Sequence, residues 1–108
     1  MSGLNKIIAS RVLTCLIDGQ RQEVVINLGE PFADNGAVTC PYEILIGSGS
    51  TVLGISGIDG VQAIQLALFM VGSSLSSMSR ATDWRWSNNE GFGFPSTLKE
   101  PLFGQTVE

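Results

Sequence analysis

The chain has 108 residues, 44% of them hydrophobic, with ten acidic and six basic side chains giving a formal charge of −4. Such a chain can bury a core of its own as one domain, residues 1–108, and is too apolar for a disordered segment. Its basic residues, Lys6, Arg11, Arg21, Arg80, Arg85 and Lys99, are scattered, which speaks against a nucleic-acid footprint. The lack of histidine excludes the commonest zinc sites and the Ser-His and Cys-His nucleophile pairs.

Near the N-terminus Lys6 precedes Ile7-Ile8-Ala9, but Arg11 interrupts the apolar run before the core of an export signal develops. The longest apolar run falls short of the roughly 20 residues a membrane-spanning helix needs. The expectation is a soluble, cytoplasmic protein that does not engage membranes. Residues 7–17 are rich in β-branched and aliphatic side chains and read as a strand. Asp18-Gly19 tolerates positive φ at both positions and predicts a hairpin, with 21–28 returning. Val24, Ile26 and Leu28 form its apolar face, against Glu23, Val25 and Asn27 on a partly solvated one.

Residues 29–36 read as a loop, with Pro31 ending the strand and Asn35-Gly36 turning. A third strand is expected over 39–46, with Tyr42, Ile44 and Ile46 on one face and Glu43 exposed on the other. Gly47-Ser48-Gly49-Ser50 makes a turn into a fourth strand, 51–56. Short connections imply antiparallel pairing, so residues 5–57 read as a four-stranded meander. The helix predicted over 59–79 starts on Asp59 as N-cap, with Gln62 reaching back to the backbone of Asp59. From Val61 to Val71 only two residues are polar, which calls for cover on most sides. Its end is expected near Arg80, a cation at the negative end of the helix dipole. Residues 83–95 read as a small hairpin stacking Trp84, Trp86, Phe92 and Phe94. The tail, 96–108, shows no period and is held, if anywhere, by Leu98, Leu102 and Phe103. The fold class is therefore α+β.

Candidate chemistry is sparse. Gly49 and Gly54 have the spacing of a phosphate loop, but Ile55 stands where the lysine must be, and a hairpin turn accounts for the segment better. Glu30 and Asp34 would share a cation with Asp59 only if their loop folded over the helix N-terminus; as solvated loop carboxylates they need no ligand. Cys15 and Cys40 read as buried reduced thiols, with a cross-sheet disulfide as the alternative. No catalytic constellation, metal set or cofactor motif emerges. The most distinctive segment is Trp84, Arg85, Trp86, Phe92 and Phe94, a partner-binding surface if exposed and a plug on the core if not.

Cys40-Pro41-Tyr42, the run from Gly57 to Leu68, Trp86 and Gly93-Phe94-Pro95 together resemble a family of small uncharacterised bacterial domains. In these a Cys/Trp-Pro-Tyr strand precedes a Gly-x-Asp-x-x-Gln-Ala-Leu-type helix and a Gly-Phe-Pro turn. The resemblance spans Cys40 to Pro95 and is carried by cap and core residues, so it implies a fold and no activity. The size and composition of some relatives suggest, by analogy, immunity or partner-binding proteins. The leading expectation is a non-catalytic interaction module, binding a protein partner or a second copy through an edge strand. The alternative is a small-molecule-binding domain or weak enzyme with a pocket near Asp34, Tyr42 and Asp59.

Overall fold

A computed structural model describes residues 4–95. The expectation for the tail, 96–108, lies outside the described residues. The chain forms β1 (Ile7–Ile17), β2 (Gln20–Gly29), β3 (Phe32–Asp34), β4 (Ala37–Ile46), β5 (Gly49–Gly57), α1 (Gly60–Ser76), β6 (Ala81–Trp86) and β7 (Asn89–Glu90). All strands join one antiparallel sheet of seven, instead of the four-stranded meander expected from sequence.

The four predicted strands are all present, and the additions have local causes. Asn35 (φ 50°) and Gly36 (φ 83°) form a two-residue turn that pairs Phe32–Asp34 with Ala37–Thr39, so part of the expected loop is β3. Pro31, which lacks an N–H, separates it from β2. Asp18 (φ 53°) and Gly19 (φ 78°) turn β1 into β2, as their sequence predicts. Gly47 (φ 57°) and Ser48 alone connect β4 to β5, leaving Gly49 and Ser50 inside β5. Because β5 pairs along all of β4, β2 and β3 share the opposite edge of β4. The order across the sheet is thus β5, β4, β2 with β3, β1, β6, β7.

One sheet face carries the core. Leu13 and Cys15 of β1, Val24, Ile26 and Leu28 of β2, and Cys40, Tyr42 and Ile44 of β4 are buried against the helix. On α1 the stripe Ala63, Ala67, Val71 and Leu75 repeats every fourth residue and is fully buried. The alanines allow close approach, and Gly57 permits the return of the chain: a Cβ there would lie 2.8 Å from the Ala63 nitrogen. The helix is covered less completely than its composition implies. Ile64, Leu68, Phe69 and Met70 are half-buried, and Val61 is 66% exposed.

At the helix start Gln62 N–H donates to Asp59 Oδ1 (2.9 Å), while the Gln62 side chain accepts from Ile58 N–H (2.7 Å). The reciprocal arrangement forms, one residue earlier on the backbone than expected. Asp59→Ala should lower stability by about 1 kcal/mol, measured by urea unfolding; an unchanged midpoint would deny the cap its role. The helix ends at Ser76, with Ser77 as C-cap. Arg80 is outside it, paired with Asp18 in the β1–β2 turn, so the cation expected at the dipole belongs to a loop–loop ion pair.

Candidate functional site

The aromatic segment is not a separate hairpin. β6 docks antiparallel on β1, with Leu13 opposite Trp86 and Ile17 opposite Ala81, and the two-residue β7 closes the margin. Phe92 and Phe94 follow in irregular chain, where a returning strand was expected. Trp84, Trp86, Phe92 and Phe94 are all half-buried and pack against the core. Trp84 and Phe92 meet edge to face, with ring centroids 5.7 Å apart. Arg85 alone of the five expected binding residues is exposed.

Arg11 holds this cluster together. It sits on the same face of β1 as Leu13, next to the β6 margin. Its guanidinium lies 3.9 Å from the Trp86 ring centroid and 4.7 Å from that of Phe94, and Nη1 donates to the carbonyls of Gly93 (2.9 Å) and Phe92 (3.3 Å). A planar cation between two rings with backbone acceptors at its edge suits Arg and not Lys. Its odd-numbered position among core-facing β1 residues was the signal in the sequence, and a lone arginine in a strand does not announce it. Gly93 (φ 73°) approaches this stack so closely that a Cβ would come within 2.6 Å of Arg11 Nη1 and of the Trp86 ring. Gly93→Ala should therefore cost about 2 kcal/mol through backbone strain and displacement of the stack, read by thermal unfolding and tryptophan fluorescence. A wild-type spectrum and melting temperature would contradict the stacking role.

On the opposite sheet face Arg21 donates to the backbone oxygen and carboxylate of Asp83, and Arg85 Nε donates to the same carboxylate at 3.1 Å. The hydrogen bond from Arg21, and then that from Arg85, hold the Asp83 carboxyl below its usual range. The folded-state value lies below the unfolded one, so this contribution is intact above about pH 4 and fades on acidification below it. Asp83→Asn should flatten the acid limb of the stability–pH profile while leaving the neutral region nearly unchanged, because exposed ion pairs contribute little there. An acid limb of wild-type shape would count against the pair.

This face also overturns the expectation for Glu43, which is fully buried. Asn27, directly across on β2, donates Nδ2 to Glu43 Oε1 (2.9 Å), and Ser10 on β1 donates to Asn27 Oδ1 (2.6 Å). Register thus aligns three polar residues across three strands. Cys15 and Cys40 are buried and free. They lie on β1 and β4 with β2 between, too far for a disulfide. Burial pushes both thiols up, so they are protonated and poor nucleophiles at neutral pH.

The pocket expected from Asp34, Tyr42 and Asp59 is dispersed. Asp34 pairs across from Ala37, and Asp59 follows Gly57, which pairs with Val38, so both carboxylates stand exposed at one end of the sheet. Tyr42 is 2% exposed, five residues farther along β4, about 17 Å at strand rise. Burial also raises its phenol pKa. Glu30 pairs with Lys6. Among the described residues no group of three or more His, Cys, Asp and Glu side chains converges to hold a metal ion.

The opposite margin of the sheet is β5, expected from sequence as a strand over 51–56 but not as the sheet's edge. It pairs with β4 alone, and its register is unbroken from Val38/Gly57 to Ile46/Gly49. From Gly47 to Ile58 the chain has no charge and no proline. Val52 (44%), Leu53 (47%), Ile58 (83%) and Val61 (66%) are half of the exposed large apolar residues in the described chain. A long run of Gly, Ser, Thr and aliphatics without Lys, Glu or Pro was the available signal.

Among the described residues no helix is long and apolar enough to cross a membrane. No curated protein and no solved structure matches the chain. The model of one family, a domain of unknown function, matches residues 9–96. That match takes in the helix and every strand apart from the first two residues of β1, in agreement with the resemblance to a small uncharacterised domain, and the chain belongs to this family, DUF6968.

Proposed function

We propose that the protein is a non-catalytic interaction module whose working surface is the β5 edge. The single observation that carries this reading is the contrast between the two margins of the sheet. The β7 margin has two residues, one of them Glu90, and the aromatic segment covers the core beside it. The β5 margin has nine residues, is straight in register, and carries neither charge nor proline. Proteins normally blunt such edges, because their free N–H and C=O groups template pairing with another strand. A long unblunted edge is therefore a place for a partner strand, bound by main-chain hydrogen bonds and by pockets for alternate side chains.

The aromatic segment contributes to this reading from within, since its rings pin β6 to the sheet instead of facing a partner. The partner is a protein, bound and neutralised or matched with an identical copy, and the two free thiols suit a reducing, cytoplasmic setting. Affinity capture from the source cell with the wild-type chain and with Leu53→Lys, which places a charge on the half-exposed middle of β5, tests the proposal. Proteins retained by the wild type and lost by the variant are expected. Identical capture sets would sink it.

A further inference from the structure

We propose that the occupant of this edge is β5 of a second copy of the chain, paired antiparallel about a two-fold axis through Leu53. The inference rests on the edge reading above and adds the partner and the register.

Hydrogen-bond parity limits the alignments. Ile46 and Gly49 close a two-residue turn and so form a bonded pair. Bonded pairs then recur at Thr51, Leu53, Ile55 and Gly57, whose N–H and C=O groups face β4. Those of Ser50, Val52, Gly54 and Ser56 face outward. A nine-residue strand has a middle residue, Leu53. Full overlap about that residue joins outward-facing groups only with outward-facing groups. Val52 bonds with Gly54 of the other copy, and Ser50 with Ser56. Leu53 meets its own copy as a non-hydrogen-bonded pair, in which side chains come closest.

The side chains agree with this register. On the helix-covered face Leu53 packs against Leu53, flanked by Thr51 opposite Ile55. On the other face Val52 lies beside Gly54, a large residue next to the one that leaves it room. Two serine hydroxyls meet at the next position outward. Charge favours an identical partner at this place in particular. Each copy carries −4, so most self-contacts would oppose like charges, and the twelve-residue segment Gly47–Ile58 brings none together. Ile58 and Val61, exposed at the end of β5, extend the apolar rim on both sides of the axis.

Light scattering of the full chain from micromolar to submillimolar concentration should give twice the 11.5 kDa monomer mass, and Leu53→Lys, verified as folded by circular dichroism, should give the monomer. Register is tested by cysteine placement, since Cys15 and Cys40 are buried and do not compete. Under diamide oxidation Leu53→Cys should cross-link to a covalent dimer, and Thr51→Cys, which faces residue 55 of the other copy, should not. A monomer throughout the range overturns the proposal. So does a dimer that survives Leu53→Lys, or one that cross-links equally at 51 and 53. A monomeric chain that still loses a different captured protein on Leu53→Lys would remove self-pairing alone and leave the edge reading standing.

Discussion

Replacing Trp84 and Trp86 together by alanine should destabilise the protein by about 4 kcal/mol, enough to consume much of the stability of a domain this size. A fully buried Trp→Ala change costs about 3–5 kcal/mol, and each of these half-buried rings accounts for roughly half of that. The pair belongs to one cluster, so the costs couple: losing Trp86 also leaves Arg11 without its stacking partner. The measurement is urea unfolding followed by circular dichroism, with the single variants completing a double-mutant cycle. If the double variant stays as stable as the wild type, the rings are surface features, and the aromatic segment returns as the leading candidate for partner contact.

Asn27→Leu should cost about 3 kcal/mol, because it removes a hydrogen-bond donor from a carboxyl group that is fully buried. The double variant Asn27→Leu with Glu43→Leu should regain part of that loss, since it removes the buried carboxyl group together with its Asn27 donor. A neutral single variant, or a double variant worse than the sum of the two, would mean that the Asn27–Glu43 bond is not what makes the buried carboxyl tolerable. Equilibrium unfolding across the cycle separates these outcomes.

The parts of this fold governed by local chemistry were legible in the sequence. Asp18-Gly19 and Asn35-Gly36 need positive φ and take it; Asp59 and Gln62 cap the helix; Tyr42 and Ile44 alternate onto the core. What escaped depends on neighbours distant in sequence. Glu43 reads as exposed by strand period, and its partner in the buried state, Asn27, is brought opposite only by the register of β2 with β4. Arg11 reads as a scattered charge until β6 arrives beside β1 and brings Trp86 to it. The β5 edge escaped for the same reason, since no residue within a strand declares which of its sides another strand will occupy. The tryptophans drew attention by composition, and their packing against the core is a tertiary matter that composition does not show.

The pairing of β6 with β1 also shapes how the chain is made. The strands from β1 to β5 connect through short links, and each pairs within the group (β2 on β1, β4 on β2 and β3, β5 on β4), so that part can fold as it emerges, and the helix follows at once. β6 must instead travel back to the first strand, past everything synthesised between them. At about 5–20 residues per second, β1 keeps one side open on the ribosome for roughly 3–14 s before its neighbour exists. Through that interval Arg11 has no rings to stack on, and Leu13 and Cys15 lack their cover on that side. A chain ended before Ala81 leaves that side of β1 unpaired and should aggregate more readily than the full chain, as read by light scattering.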